Sequence, residues 1–369
     1  MATRAAVLTG LDQPLVIRDD VVVDAPHAGE IRIRVAACGV CRSDLSMQDG
    51  TLPVPMPVVL GHEASAVVDE VGEGVTELAP GDHVVVSWVP QCGECFFCRR
   101  GQPHLCQTAD AVLLAGGLLD GSPRLRLDGA PLFQMCGAGT FAEETVIPAT
   151  SAVKVPRDLP LDVAALLGCA VLTGVGAALN TATIRPGDTV AVIGCGGVGL
   201  NIVQGARIAG AEVIVAVDVH PRKLAVAEAF GATHTVDATA GDPANAVRDL
   251  TGQRGADVAF EALGQGATIA QAIDMTRRGG QAVLVGIPRL DVMVTLPAML
   301  GLVLQDRTVM GCWYGSSDIR RDVPRLVELY REGRLLLDEL VSRRIDLADV
   351  NLALEAMKAG DGSRSVIVY

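Results

Sequence analysis

Aromatic side chains are scarce in this sequence: two Trp, three Tyr and six Phe among 369 residues. Its core must therefore be packed mostly from Val, Ala, Leu and Ile. Basic residues are also short. Thirty Lys and Arg face 43 Asp and Glu, a net charge of −13, so a phosphate surface is repelled and a nucleic-acid partner is excluded. No run reaches the eighteen or so uninterrupted apolar residues of a membrane helix, so no membrane partner is expected. The first residues read as a strand and lack the apolar segment and cleavage site of a signal peptide. Ten cysteines are too few for a disulfide scaffold in a chain of this length. They point instead to a reducing, cytoplasmic setting with metal-bound thiolates.

What is present has two grammars. The length suggests two domains, and 41 glycines with an aliphatic core fit an α/β protein. Residues 1–150 read as short strands broken by turns. Ile31 to Val35 alternates apolar and charged, and Ala64 to Val71 and Gly81 to Val86 are strands around a Gly72-Glu73-Gly74 turn. Residues 110–131, rich in glycine and without a clear period, read as a long loop with room for a short hairpin. From Ala164 onward helical stretches alternate with buried strands at Thr189–Ile193, Val213–Val217, Asp257–Phe260 and Gln281–Gly286. That alternation predicts a doubly wound parallel sheet. Val323–Gly333 reads as an amphipathic helix, and Ser365–Tyr369 as a strand returning to the first domain's sheet.

Two motifs carry chemistry. Cys92-x2-Cys95-x2-Cys98-x7-Cys106 has the spacing at which four thiolates converge on one metal, and an all-cysteine set favours Zn2+ or an iron–sulfur cluster. Gly194-x-Gly196-Gly197-Val198-Gly199 follows a strand and opens a helix, the context of a dinucleotide-binding turn. Asp218 ends the next strand, nineteen residues beyond Gly199, where a carboxylate accepts from ribose hydroxyls and repels a 2′-phosphate. NAD is therefore favoured over NADP.

These motifs, with Cys38-Gly-Val-Cys41-Arg-Ser-Asp44, Gly61-His62-Glu63, Gly81-Asp82-His83-Val84, Gly168-Cys169 and the terminal Arg364-Ser-Val-Ile-Val, resemble the zinc-dependent medium-chain alcohol dehydrogenases over nearly the whole chain. The 62 residues between Cys106 and Cys169 fit the longer, typically dimeric branch. The Phe230-Gly-Ala-Thr-His-Thr, Trp313-Tyr-Gly and Arg343-Arg-Ile stretches are similar to actinobacterial members, which include mycothiol-dependent formaldehyde dehydrogenases and enzymes with tightly held cofactor.

The resemblance implies a mostly β, GroES-like catalytic domain over 1–172 with a zinc lobe at 90–107. It also implies a Rossmann domain over 173–314, a return to the catalytic domain over 315–369, and a homodimer, with a tetramer as the alternative. Two zinc ions per subunit are implied. Cys41, His62 and Cys169 match the catalytic zinc ligands, and Cys92, Cys95, Cys98 and Cys106 the structural ones. Asp44 matches the carboxylate that orients the histidine ligand, Glu63 an acid behind the metal, and Ser43 the hydroxyl that takes the alcohol's proton. Arg42 and Arg364 match pyrophosphate contacts, and Asp218 and Lys223 ribose contacts. Thr173, Val198 and Ile287 match the nicotinamide pocket. Leu52, Trp88, Ala111, Met135, Cys136, Arg289 and Trp313 align with the substrate cleft. Ser46 stands where several relatives carry a relay histidine. The implied reaction is reversible oxidation of a small-molecule alcohol, a larger primary, aromatic or allylic one, to its aldehyde, with zinc as Lewis acid and NAD as hydride acceptor.

Overall fold

The computed structural model describes residues 2–360 and 364–369; the side chains of Ala111 and Leu114 also lie outside the described set. The chain forms two compact units, Met1–Ala170 with Asp318–Tyr330 and Leu337–Tyr369, and Val171–Ser317 with Arg331–Leu336.

The first unit is built on β1 (Ala2–Leu8), β2 (Val16–Val23), β3 (Glu30–Gly39), α1 (Arg42–Gln48), β4 (Val58–Val59), β5 (Glu63–Val71), β6 (His83–Val86), α2 (Phe96–Arg99) and α3 (Gln107–Ala115). There follow β7 (Leu125–Leu127), β8 (Ala130–Gln134), β9 (Glu144–Pro148), β10 (Ala152–Lys154) and α4 (Leu161–Ala164). Strands β1, β2, β7, β8 and β4 close into a barrel. Strand β3 shows why the alternating pattern works. Ile31, Ile33 and Val35 are buried, while the Arg32 guanidinium reaches Asp69 on the neighbouring strand at 2.7 Å.

Residues 107–115 correct the expected long loop. They form α3, which ends where Gly116 takes a left-handed conformation. The helix starts directly after Cys106, so it is positioned by the four-cysteine lobe more than by its own weak amphipathic pattern. The short hairpin expected in the same stretch is β7–β8.

The second unit carries α5 (Ala170–Gly176), β11 (Thr189–Ile193), α6 (Gly197–Ala209), β12 (Val213–Asp218), α7 (Pro221–Ala229) and β13 (His234–Asp237). It continues with α8 (Pro243–Leu250), β14 (Ala256–Glu261), α9 (Gly266–Met275), β15 (Thr276–Leu284) and β16 (Thr308–Gly311). Six parallel strands run in the order β13-β12-β11-β14-β15-β16. Central strands are continuous apolar runs because both faces are covered. Ala191, Val215, Val217 and Ala259 are fully buried in one aliphatic cluster with Val247 and Met275. Strands β13 and β16, at the sheet's two edges, were not anticipated: each has four residues, and His234-Thr-Val-Asp carries little hydrophobic signal.

The chain then returns through α10 (Ile319–Arg331), β17 (Arg343–Ile345), α11 (Val350–Lys358) and β18 (Ser365–Val368). Strand β18 pairs antiparallel with β3, setting Val366 against Gly39, as the terminal pattern suggested. This completes the sheet β10-β6-β5-β3-β18-β17, with β9 also paired to β3, over its first residues Glu30 to Arg34.

A buried ion pair pins the barrel to this sheet. Arg124 grips Glu30 through two hydrogen bonds of 2.9 and 2.6 Å and also reaches Asp120 at 2.7 Å. Removing one partner strands the other charge. Arg124→Ala should cost about 3–5 kcal/mol of stability in chemical denaturation, and a loss below about 1 kcal/mol, the range of a surface pair, would refute this reading.

Candidate active site and metal centres

The active-site trio is assembled by one carboxylate. As β3 ends, Cys41 caps α1, and its backbone N–H donates to Asp44 Oδ2 at 2.7 Å. The other oxygen, Oδ1, accepts from Gly61 N at 3.1 Å and lies 3.3 Å from His62 Nδ1. Asp44 is fully buried. It joins the segment bearing Cys41 to the segment bearing His62 and engages one ring nitrogen, which leaves Nε2 as the ligand atom. Cys169 completes the group. The ligand atoms of Cys41, His62 and Cys169 all lie within 4.8 Å of one another, and all three residues are buried.

Electrostatics suit a metal. Cys41 is held well below the usual thiol range, first by a hydrogen bond from Cys169 and then, against desolvation, by His62 and Arg364. Cys169 moves the opposite way, because its proton serves Cys41. Desolvation drives His62 toward the neutral form, but Asp44 and Cys41 outweigh it and raise its pKa well above the ordinary value. The protons on Cys169 and His62 are those that a divalent cation displaces. Two thiols and one imidazole make a three-ligand set with a fourth position for substrate.

The four-cysteine lobe fits a single tetrahedral ion. Its sulfurs stand 3.5 Å (Cys92–Cys106) and 3.9 Å (Cys95–Cys106) apart. Zn–S bonds of about 2.3 Å give tetrahedral edges of about 3.8 Å. Sulfurs this close do not surround a multi-iron cluster, and every cysteine is a free thiol, so no disulfide competes. The amides of Cys95, Cys98 and Cys92 donate to the sulfurs of Cys92, Cys95 and Cys106; against desolvation, such bonds bring Cys95 down to about 6 and lower Cys106. All four protein ligands are used, so the lobe offers no position for substrate.

In the first unit, Ser43 is half-buried, with its hydroxyl 4.0 Å from Cys41 Sγ. Arg42 is exposed on the first turn of α1. Glu63 is buried; one of its oxygens accepts from Ala170 N at 3.1 Å and stands 3.5 Å from Arg364. Desolvation pushes Glu63 up to about 7, with Arg364 opposing. Arg364, expected to meet a pyrophosphate, is itself buried and donates to the Val40 carbonyl at 3.0 Å. Trp88 and Met135 are buried, and Leu52 is half-buried. Cys136 is close enough to feel His62, Asp44 and Cys41, and its burial pushes it up to about 11. The Ala111 side chain lies outside the described residues.

The second unit holds the dinucleotide motif. Gly194 takes a φ of +94° at the sharp turn after β11, and a Cβ on Gly199 would collide with the Gly194 carbonyl. Gly196 has open space where its side chain would be, and Gly197 and Val198 open α6. The backbone there is free to approach a diphosphate. Asp218 closes β12, accepting from Cys195 N at 2.8 Å and His220 N at 3.0 Å. Lys223 lies near enough to act on Cys195. Thr173 is half-buried, while Ile287, Arg289 and Trp313 are exposed.

A chain that carries a metal-ligand trio in a barrel-and-sheet unit and a dinucleotide turn in a parallel-sheet unit is, by its fold and site, a zinc-binding dehydrogenase. Comparison with known proteins agrees. Residues 27–157 match the alcohol dehydrogenase GroES-like domain and residues 197–332 the zinc-binding dehydrogenase domain. A Mycobacterium tuberculosis protein provisionally named alcohol dehydrogenase D is 40% identical, with 100% of both chains covered. The NDMA-dependent alcohol dehydrogenase of Amycolatopsis methanolica is 39% identical over 100% of this chain and 99% of its own. The S-(hydroxymethyl)glutathione dehydrogenase of Paracoccus denitrificans is 36% identical, covering both chains completely. Among solved structures, benzyl alcohol dehydrogenase from Acinetobacter calcoaceticus superposes with a TM-score of 0.94 at 30% identity, over 100% of this chain and 99% of that one. A provisionally named zinc-binding dehydrogenase of Sinorhizobium meliloti, bound to NADP, reaches 0.81 at 27% identity, over 100% of both chains. The chain belongs to the zinc-dependent medium-chain alcohol dehydrogenase family, and is an oxidoreductase that uses zinc and a nicotinamide cofactor.

Cys98→Ser should lose one ion per chain and melt at lower temperature, whereas Cys41→Ala should lose the other ion and keep the lobe's. Metal analysis of the purified variants checks this, and an undiminished ion count in Cys41→Ala would sink the assignment. Asp44→Asn should weaken the catalytic ion by about 10–100-fold in chelator competition.

Proposed function

We propose that this enzyme reversibly oxidises a larger primary alcohol, aromatic or allylic, to its aldehyde with NAD. The observation that carries the cofactor choice is Asp218. Among the described residues its carboxylate, closing β12, takes one protein donor on each oxygen, which leaves acceptor capacity for both ribose hydroxyls. A 2′-phosphate at that point would meet a negative charge. For the substrate, support comes from the buried Trp88 and Met135, the aligned Trp313, and the close likeness to an enzyme named benzyl alcohol dehydrogenase.

Zinc, when bound, supplies Lewis acidity toward the substrate oxygen, and the nicotinamide accepts the hydride. Cys41, His62 and Cys169 hold the metal, and Asp44 keeps the His62 ring in position. Ser43, beside Cys41, receives the alcohol's proton and passes it toward solvent; with Ser46 in place of a relay histidine, water or the ribose hydroxyl completes the path. Glu63 and Arg364 form a charge pair behind the trio. Arg42 and Arg364 remain candidates for the diphosphate, and Lys223 for the ribose. Thr173, Val198 and Ile287 remain candidates for the nicotinamide.

The lobe is proposed to hold a second zinc. A homodimer is supported by an apolar surface on the second unit. Leu290, Met293, Met299, Leu300 and Val303 are each more than 60% exposed, and they lie in the segment leading to the edge strand β16. A cytoplasmic location is supported by the free state of all ten cysteines, and no single described helix is long and apolar enough to cross a membrane.

A second reading has support from the relatives: oxidation of a thiol–formaldehyde adduct, as one relative's name describes, or turnover with a retained cofactor and an artificial acceptor. One activity panel separates these. Alcohols and aldehydes are offered with NAD, NADP or an artificial acceptor, with and without low-molecular-weight thiol. Benzylic or allylic alcohols should lead with NAD alone; preference for ethanol, or a strict thiol requirement, would overturn the first reading. Asp218→Ala should weaken NAD and narrow its advantage over NADP, and an unchanged ratio would refute the ribose role.

A further inference from the structure

The second unit holds another carboxylate at the same edge of its sheet, Glu261, which closes β14 next to the glycine loop. It is fully buried. Its Oε1 accepts from Leu263 N at 2.9 Å, Gly264 N at 2.8 Å and Thr268 Oγ1 at 2.7 Å, and its Oε2 accepts from Gly264 N at 3.0 Å. Unlike Asp218, Glu261 is fully buried and is gripped by three donors of its own chain, so it reaches no ligand directly, but it determines the course of the turn after β14.

That turn touches the dinucleotide motif. Ile193 and Glu261 are register partners on β11 and β14, and Ala262 N donates to Ile193 O at 2.9 Å. The Leu263 side chain fills the space beside Gly194, within 2.7 Å of where a Cβ there would stand. Gly264 packs against the backbone of Ile287, itself a candidate nicotinamide contact, and Gly286 packs against Gly264. The Glu261 main-chain carbonyl accepts from Val285 N and Gly286 N. The Glu261 carboxylate thus holds the Leu263–Gly264 turn, which packs against Gly194 and against Gly286–Ile287.

We propose that Glu261 is a positioning residue for the nicotinamide dinucleotide, fixing the turn after β14 against the glycine loop so that the cofactor meets a preformed edge. The inference rests on the dinucleotide reading of that loop. Glu261→Gln keeps the shape but sets an amide donor against donors. In the full-length enzyme it should raise the Kd for NADH, read by fluorescence, and the KM for NAD by about tenfold or more. The kcat at saturating NAD should stay within about twofold, as for a loss of uniform binding, and metal content should be unchanged. A folded variant with an unaltered Kd and only a lower melting temperature would overturn the proposal. If Glu261→Gln does not fold, Thr268→Val decides: it removes one donor to Oε1 and should weaken NADH by about threefold, within the usual worth of a single hydrogen bond, whereas an unchanged Kd would overturn the proposal. Wild-type enzyme that binds no NADH would overturn the dinucleotide reading itself.

Discussion

The catalytic trio depends on the buried Asp44 carboxylate. Two cysteines and a histidine distant in sequence have no reason to converge unless something holds their backbones together. Asp44 does so by accepting the Cys41 and Gly61 amides while facing the His62 ring. The negative charge is tolerated because every oxygen has a partner. The same charge steadies His62 and fixes which ring nitrogen a metal meets. Cys169 is brought to the group on the 3-10 turn that follows α4, and Glu63 accepts the amide of the next residue, Ala170. Carboxylates thus contact the backbone beside each of the three ligands.

The second unit uses the same device at the carboxyl end of its sheet. Asp218 and Glu261 close the two strands that flank β11, and each draws in amides from the turns beyond. They differ in how much acceptor capacity is left. Asp218 ties the glycine loop through Cys195 and keeps lone pairs for a ligand. Glu261 is fully buried among donors of its own chain, so its effect on a cofactor passes through the turn it holds. Two acids in equivalent places therefore take different roles because of the donors around them.

The architecture was largely legible from pattern. Apolar runs at Thr189–Ile193 and Val213–Val217 marked central parallel strands, and alternation at Ile31–Val35 marked a half-buried one. Helix α3 was not legible, because its position follows from the metal lobe before it and its own nine residues carry a weak period. Strands β13 and β16 were missed because short edge strands gain most of their stability from pairing, which leaves little trace in composition. Glu261 left one signal: a lone carboxylate ending the otherwise apolar Val258-Ala-Phe-Glu261 stretch. Only the folded turn, with the Leu263 and Gly264 amides bonded to it, gives that carboxylate a purpose.

By itself, the sequence determined what depends on near neighbours. Four thiolates within fifteen residues, and four glycines within six, define a metal lobe and a phosphate turn because the ligand geometry spans only a few residues of backbone. The grouping of Cys41, His62 and Cys169 came from resemblance, since 128 residues separate the first from the last and no local geometry links them. Their convergence was decided by the tertiary structure, through β3 and β5 pairing side by side and Asp44 bridging their ends. The tertiary structure also decided which acids stay open to a ligand and which are closed. That distinction depends on how deeply each carboxylate is buried and on the donors packed around it, a property of the folded chain.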